Sequence, residues 1–161
     1  MQTFLPYPDF QQTAEVLDDR RLGKQRVEVL QVLRALTRER YGWKHHPAVL
    51  MWAGFEEALG AYGLAVCTEW VKRGWADTCA GKIVDELMEL GIGQPRPQAV
   101  LEEAGELPSW LGEERFHRSH RAALLRKDPE WYGSRFPDAP DDVDYIWPVR
   151  AANPRSPRRA G

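Results

Sequence analysis

Apolar residues recur at helical spacing wherever the chain shows a pattern at all. Leu22, Val29, Leu33 and Leu36 return at offsets of seven, four and three, and Leu30 and Val32 widen the stripe. This predicts a helix from a cap at Asp18 or Asp19 to about Thr37. Ahead of it, Pro6 and Pro8 make the first eight residues an extended lead, and Asp9 can cap a short helical turn that begins at Phe10. Residues 38–46 read as a loop. A second long helix is predicted from His46-Pro47, with proline at its favoured first position, to Gly74 behind Lys72 and Arg73. Leu50, Ala53, Ala58, Ala61, Ala65 and Val71 cover most of its girth, which marks it as the central helix. Gly54, Gly60 and Gly63 lower its helix propensity and point to another helix crossing closely.

Further on, Ile83, Leu87 and Leu90 define a helix over about 78–90, with Gly91 as its stop. Residues 94–97 read as a turn, 98–104 as a short helix, and 113–127 as the last helix, ended by Asp128-Pro129. The run WYGSRFPDAPDD reads as irregular chain packed by aromatics. Residues 151–161, with three arginines, two prolines and nothing apolar larger than alanine, read as a flexible basic tail. No strand pattern, repeat or P-loop is present. The expectation is an all-α fold: one compact domain over 1–150 around a central long helix, then the tail.

A length of 161 residues agrees with one domain and allows roughly 70% of the unfolded surface to be buried. The most apolar stretch, 48–71, is broken by Glu56, Glu57 and Glu69 and is no membrane span. The first ten residues lack the basic-then-apolar pattern of a signal peptide. Two cysteines, Cys67 and Cys79, supply neither a disulfide framework nor a zinc quartet, so a reduced, cytoplasmic monomer is expected. Cys67, flanked by Val66 and Thr68, reads as core rather than nucleophile. Seven tryptophans leave aromatic surface to spare for stacking.

The net charge of -2 conceals a division. Residues 20–44 carry eight basic side chains against Glu28 and Glu39, and 115–127 carry five with no acid. Residues 85–114 hold eight acids and only Arg96. A positive and a negative face follow, although charge alone does not separate a nucleic-acid surface from solvated helices.

The densest polar cluster runs from Arg20 to Glu28. Arg21, Lys24, Gln25 and Glu28 share one helical stripe, and basic residues at a helix start oppose the macrodipole. A carboxylate among cations stays ionised and can stabilise a developing cation while the bases hold phosphates; an ordinary Lys24–Glu28 surface pair is the plainer alternative. His45 and His46 sit at a helix mouth that favours an anion, and His117 and His120 lie one turn apart on the last helix. Paired imidazoles can share an ion, but no cysteine cluster or HExxH completes a set, and no metal is expected.

Three stretches together resemble the pyrimidine-dimer DNA glycosylase family: LDDRRLGKQRVEVL at 17–30, HPAVLMWAGFEEAL…CTEWVKRGW at 46–75, and HRSHRAALLRKDPEWY at 117–132. The resemblance implies a compact helical base-excision repair enzyme that kinks damaged duplex DNA and flips a base out of the stack. It also implies an N-terminal α-amine that attacks the deoxyribose C1′, and a glutamate that supports the sugar cation and the strand-nicking elimination. Glu28 falls on that glutamate, Arg21 where the family has a histidine near the damage, and His120 where it places an arginine. Trp131 and Tyr132 match its aromatic C-terminal segment. Gln2 departs from the small second residue of the phage pattern, which leaves Met1 as the terminal amine and Lys24, one turn from Glu28, as the alternative.

The leading expectation is therefore a DNA glycosylase with AP-lyase activity, acting on a damaged or modified pyrimidine without cofactor. Glu28, Met1, Lys24 and Arg21 carry the chemistry, and Arg20, Gln25, Arg26, His45, His46, His117, His120, Arg121, Trp131 and Tyr132 contact DNA. The other readings are a nucleic-acid-binding protein of the same fold without chemistry, and a nucleoside or nucleotide hydrolase, including a metal-dependent one using the histidines.

Overall fold

The computed structural model describes residues 1–140 and 142–149, so the tail expected at 151–161 lies outside the described residues. Two aspartates open the first helices. Asp9 accepts the Gln12 N–H at 2.8 Å and caps α1 (Phe10–Val16). Asp18, rather than Asp19, caps α2 (Asp19–Thr37), while Asp19 becomes its first residue and pairs with Arg73 at 3.0 Å.

The long helix predicted from His46 to Gly74 is two helices, α3 (Pro47–Leu50) and α4 (Glu56–Lys72). The break lies at Gly54, whose φ of 85° is left-handed and whose N–H is held by the Glu56 carboxylate at 3.1 Å. Periodicity could not show it, because Trp52 within the break still points into the core, fully buried, and donates to Thr3 Oγ1 at 3.0 Å. Beyond it come α5 (Cys79–Glu89), α6 (Gln98–Glu103), α7 (Glu114–Lys127) and α8 (Pro129–Tyr132). The last is a second departure. Asp128 ends α7 but accepts the Trp131 N–H at 3.0 Å, so the run expected to be irregular begins with a capped helical turn. The fold is all-α, with eight helices and no strand among the described residues.

Helix α4 is the centre, packed between α2 and α5. Its glycines permit this: a Cβ on Gly63 would lie 2.6 Å from Val29 and 2.9 Å from Ile83, and one on Gly60 only 2.5 Å from Leu87. Charge ties the same helices together. Glu86 of α5 receives Arg34 of α2 at 3.0 Å and Arg38, the C-cap of α2, at 2.6 Å. Arg26 reaches Asp77 at 2.6 Å, just ahead of α5. Burial disfavours ionisation of Glu86, but these guanidiniums and Thr37 hold its carboxyl below the usual range.

The extended lead is threaded between α2, α4 and α7, with Thr3, Phe4 and Leu5 buried. Side chains satisfy its backbone, as buried peptide groups require. Gln25 Nε2 donates to Gln2 O at 3.0 Å, and its Oε1 accepts the Phe4 N–H at 3.0 Å. The Tyr62 hydroxyl donates to Phe4 O at 2.6 Å, and Arg121 to Pro6 O at 2.8 Å. His117 and His120 grip Leu5 from both sides. His117 Nε2 accepts the Gly112 N–H at 2.8 Å, so its Nδ1 carries the proton and donates to Leu5 O at 2.8 Å. His120 Nδ1 accepts the Leu5 N–H at 3.0 Å, so its proton sits on Nε2, which is buried with no partner among the described residues. Burial, helped by the neighbouring His117, pushes His120 down to about 3; burial also lowers His117 against the opposing pull of Leu5 O. Both are fully enclosed neutral histidines.

Two predictions follow from this packing. Gly63→Ala should lower stability by about 1 kcal/mol, overpacking outweighing the gain in helix propensity. Gly81→Ala, on the open face of α5 with nothing near its would-be Cβ, should raise stability by about 0.5–1 kcal/mol. Chemical denaturation of both variants checks the contrast; equal shifts would remove the close crossing from the account. The histidines set a pH dependence. Their folded pKa values lie below the unfolded value of about 6.5, so between the two the unfolded chain binds more protons. Stability is then complete above about pH 6.5 and falls as pH drops towards 3, by at most about 1.4 kcal/mol per pH unit for each histidine. His120→Asn keeps an acceptor for Leu5 but cannot titrate, so its melting temperature should fall less steeply between pH 6.5 and 4.5 than that of the parent; parallel curves would refute the assignment.

Candidate active site and nucleic-acid interface

The first three turns of α2 project Arg21, Gln25 and Glu28 at offsets of four and three, onto one face beside the lead. Together with Gln2, Phe4, Arg20, Lys24 and Lys127 they line a cleft of about 170 Å³. Glu28 is its only acidic lining residue among the described residues. Its side chain is 8% exposed, with Oε2 accepting Gln25 Nε2 at 2.8 Å. Oε1 faces Lys24 Nζ at 3.6 Å, and that lysine is 71% exposed. One carboxylate oxygen is thus hydrogen-bonded inside, while the other faces an exposed surface cation. An exposed pair of this kind contributes little to stability.

Gln25 was expected to touch DNA from the same stripe. The structure turns it inward, 1% exposed, where the one amide joins Gln2 O, the Phe4 N–H, Glu28 and the Tyr62 hydroxyl. It is the joint between the lead and the carboxylate. Met1 packs against the edge of the core, and its terminal charge is felt by His46, whose pKa is lowered first by burial and then by that charge. Gln2 and Glu28 both line the cleft, and Met1 is the next residue along the lead.

His46 Nδ1 accepts the Ala48 N–H at 3.0 Å, so the short helix α3 is capped by its own imidazole, where an anion was expected. Its ring meets Trp147 at 5.5 Å and Trp43 at 5.9 Å, both edge to face. Tyr145 continues the wall, 4.6 Å from Trp147 and stacked on His120 at 4.2 Å. Burial and the Glu28 charge raise Tyr145, and burial with the charges of Tyr145 and Glu28 raises Tyr62, so both stay protonated hydroxyls. The Tyr145 hydroxyl is buried and unpartnered among the described residues.

At the other end, Arg21 is held by both Asp18 oxygens at 3.2 Å. Tyr132, fully buried, donates to the same Asp18. Burial opposes ionisation of Asp18, but the hydrogen bonds from Tyr132 and Arg21 keep its carboxyl below the ordinary range. Arg20 and Lys127 are exposed and have no ion-pair partner among the described residues. Lys127 was missed from sequence; only the basic run 115–127 pointed at it.

The other expected DNA contacts are placed elsewhere. Arg26 pairs with Asp77 and lies 4.4 Å over the Trp70 ring. His117 and His120 hold the lead from inside. Arg121 is bound to Pro6 O and Glu114. Trp131 donates to Val16 O at 2.9 Å beneath the Arg135 guanidinium. His45 alone of the four histidines is exposed, at the tip of the loop before α3. Cys67 and Cys79 are buried free thiols, and burial drives the Cys67 pKa upward, against nucleophilic use. Among the described residues no three histidines, cysteines or carboxylates gather as a metal site.

A buried carboxylate thus sits in a small cleft otherwise lined by Arg20, Arg21, Lys24 and Lys127 and by the clamped lead. Comparison with curated proteins finds no match, and comparison with solved structures finds none either. The family model of pyrimidine dimer DNA glycosylases matches residues 1–82, which contain the lead, Arg20–Glu28, the His46 loop and all of α4. The chain belongs to the pyrimidine dimer DNA glycosylase family.

Proposed function

We propose that the protein excises a damaged pyrimidine, such as an ultraviolet dimer, from duplex DNA and nicks the resulting abasic strand as an AP lyase. The observation that carries this reading is the Gln25 joint, which sets the lead carbonyl and the Glu28 carboxylate on the same amide nitrogen, at 3.0 and 2.8 Å. Arg20, Lys24 and Lys127 hold phosphates at the cleft rim. The Met1 α-amine attacks C1′ of the damaged nucleotide; the C1′–N glycosidic bond breaks and its electrons leave with the base. Glu28 stabilises the positive charge that develops on the sugar. The sugar ring then opens to an iminium. Glu28 takes a C2′ proton, and the electrons released expel the 3′ phosphate. An α-amine is intrinsically less basic than a lysine side chain by more than two pK units, which favours Met1 over Lys24 as nucleophile.

Three outcomes test this. Glu28→Gln keeps the hydrogen bond to Gln25 and should cut base release roughly 10²–10⁴-fold with DNA binding nearly unchanged; a fully active variant would return Glu28 to the role of surface partner for Lys24. Borohydride added during reaction with abasic and ultraviolet-irradiated duplexes should trap a covalent adduct. Peptide mapping should place it on Met1; an adduct on Lys24 moves the nucleophile, and base release without an adduct points to attack by water. Arg20→Ala and Lys127→Ala should each reduce the salt dependence of DNA binding by about one unit of slope. Arg26→Ala, whose partner is Asp77, should instead lower the melting temperature; the reverse pattern would reassign the interface.

A further inference from the structure

Behind the cleft, three residues from distant parts of the chain form one hydrogen-bonded unit. Tyr132 of α8 is fully buried, and its hydroxyl accepts the Asp18 N–H at 3.0 Å while donating to the Asp18 carboxylate. Asp18 is thereby held through both its main chain and its side chain. It carries Arg21 in turn. Both carboxylate oxygens accept from Nη1 alone, at 3.2 Å, so Nε and Nη2 have no partner among the described residues. That open edge is the planar fork with which a guanidinium meets two oxygens of a phosphate. Arg21 lines the cleft, whereas Asp18 and Tyr132 do not, so the guanidinium is held from behind.

The other cations of the cleft lack such a frame. Arg20 and Lys127 are exposed, and Lys24 is 71% exposed where Arg21 is 17%. Exposed cations attract a polyanion. A guanidinium fixed beforehand can also stabilise charge that appears only during a reaction, because it needs no reorganisation at that moment.

Spacing says which charge. Arg21 and Glu28 each hydrogen-bond three residues back along α2, to Asp18 and Gln25, so both side chains lean toward its N-terminus. Their ends therefore keep about the axial separation of the two residues, about 10 Å. A contact of about 3 Å at each end leaves about 4 Å, the reach of three single bonds. The run C2′–C3′–O3′–P of a nucleotide has that length.

We propose that Arg21 is a catalytic residue of the strand-nicking step, an inference that rests on the chemistry assigned above. Its Nε and Nη2 hold the phosphate 3′ to the abasic sugar, and Asp18 and Tyr132 are its positioning residues. When Glu28 takes the C2′ proton, the electrons of that C–H bond form C2′=C3′. The C3′–O bond breaks and its pair leaves on the phosphate, which passes from one negative charge to two. Arg21 stabilises the added charge and keeps its own proton. Base release does not change the charge on this phosphate and does not require the fork.

The test uses the full chain with Arg21→Lys, which keeps a cation but loses the fork, and Asp18→Asn, which keeps the α2 cap but loses the charge that holds Arg21. On a duplex with a preformed abasic site, nicking should slow about 100-fold for Arg21→Lys and about tenfold for Asp18→Asn. Base release from ultraviolet-irradiated duplex should stay within about threefold of the parent, and the borohydride-trapped adduct should accumulate. With sulfur in place of the bridging 3′ oxygen, a better leaving group, both variants should nick within about threefold of the parent. A merely structural loss would slow both substrates alike. Unchanged nicking by Arg21→Lys, equal loss of base release and nicking, or a defect of the same size with sulfur overturns this role and leaves the assigned chemistry standing. A parent that neither nicks abasic DNA nor forms an adduct overturns that chemistry, and this role with it.

Discussion

Everything in this fold that bears on chemistry depends on how the main chain of residues 2–6 is held. An extended strand with no neighbouring strand has no ladder to satisfy its peptide groups, and here it is buried. Gln25 from α2, Tyr62 from α4, and His117, His120 and Arg121 from α7 supply the missing partners. Each such bond contributes only about 1 kcal/mol net, but leaving one buried group unpaired costs about 1–3 kcal/mol. The lead therefore has one satisfied position. That constraint explains why polar side chains occupy enclosed positions on three helices, and why two histidines are kept neutral at the expense of an Nε2 on His120 that has no partner among the described residues.

The same logic reallocates charge. The basic run of residues 20–44 reads as one face, but the structure uses much of it as internal mortar: Arg21 on Asp18, Arg26 on Asp77, Arg34 and Arg38 on Glu86. What faces outward is a thinner set around the cleft and the Trp43 loop. A mildly acidic chain can hold a polyanion when its cations are concentrated at one rim and its acids lie elsewhere, since exposed charges more than about 8–10 Å apart are largely screened at ordinary salt. Local arrangement outweighs net charge.

Much of the fold was legible. The Asp9 and Asp18 caps, the apolar stripe of α2, the close crossing at Gly60 and Gly63, and the extent of α7 all follow from local rules that tertiary packing did not override. The break between α3 and α4 was hidden because Trp52 and Leu59 keep the apolar pattern across it. Within the site, Glu28 and Lys24 could be paired from helical spacing alone. Gln25 could not be assigned its part, because a glutamine on a polar stripe looks like surface until a distant strand occupies the space in front of it. His117 and His120 misled for the same reason: their partner, Leu5, is more than a hundred residues away in sequence, and no local signal announces a buried acceptor for an imidazole.

The clamp also decides which partner has to move. Gln2 O and the near oxygen of Glu28 share one amide nitrogen, which keeps them within about 6 Å of each other. The terminal residue is only one step further along, and one residue of extended chain spans about 3.5 Å. The amine is thus confined to the neighbourhood of the carboxylate by its own tether. Reach is not gained by loosening the lead, because that would strand Phe4 and Leu5 peptide groups without partners. In the proposed reaction the protein half of the encounter is prearranged and the distortion falls on the DNA, because C1′ has to be brought to the amine. Lesions that already weaken stacking bear less of it. On that proposal discrimination begins in the mechanics of the damaged duplex, before any side chain reads the base.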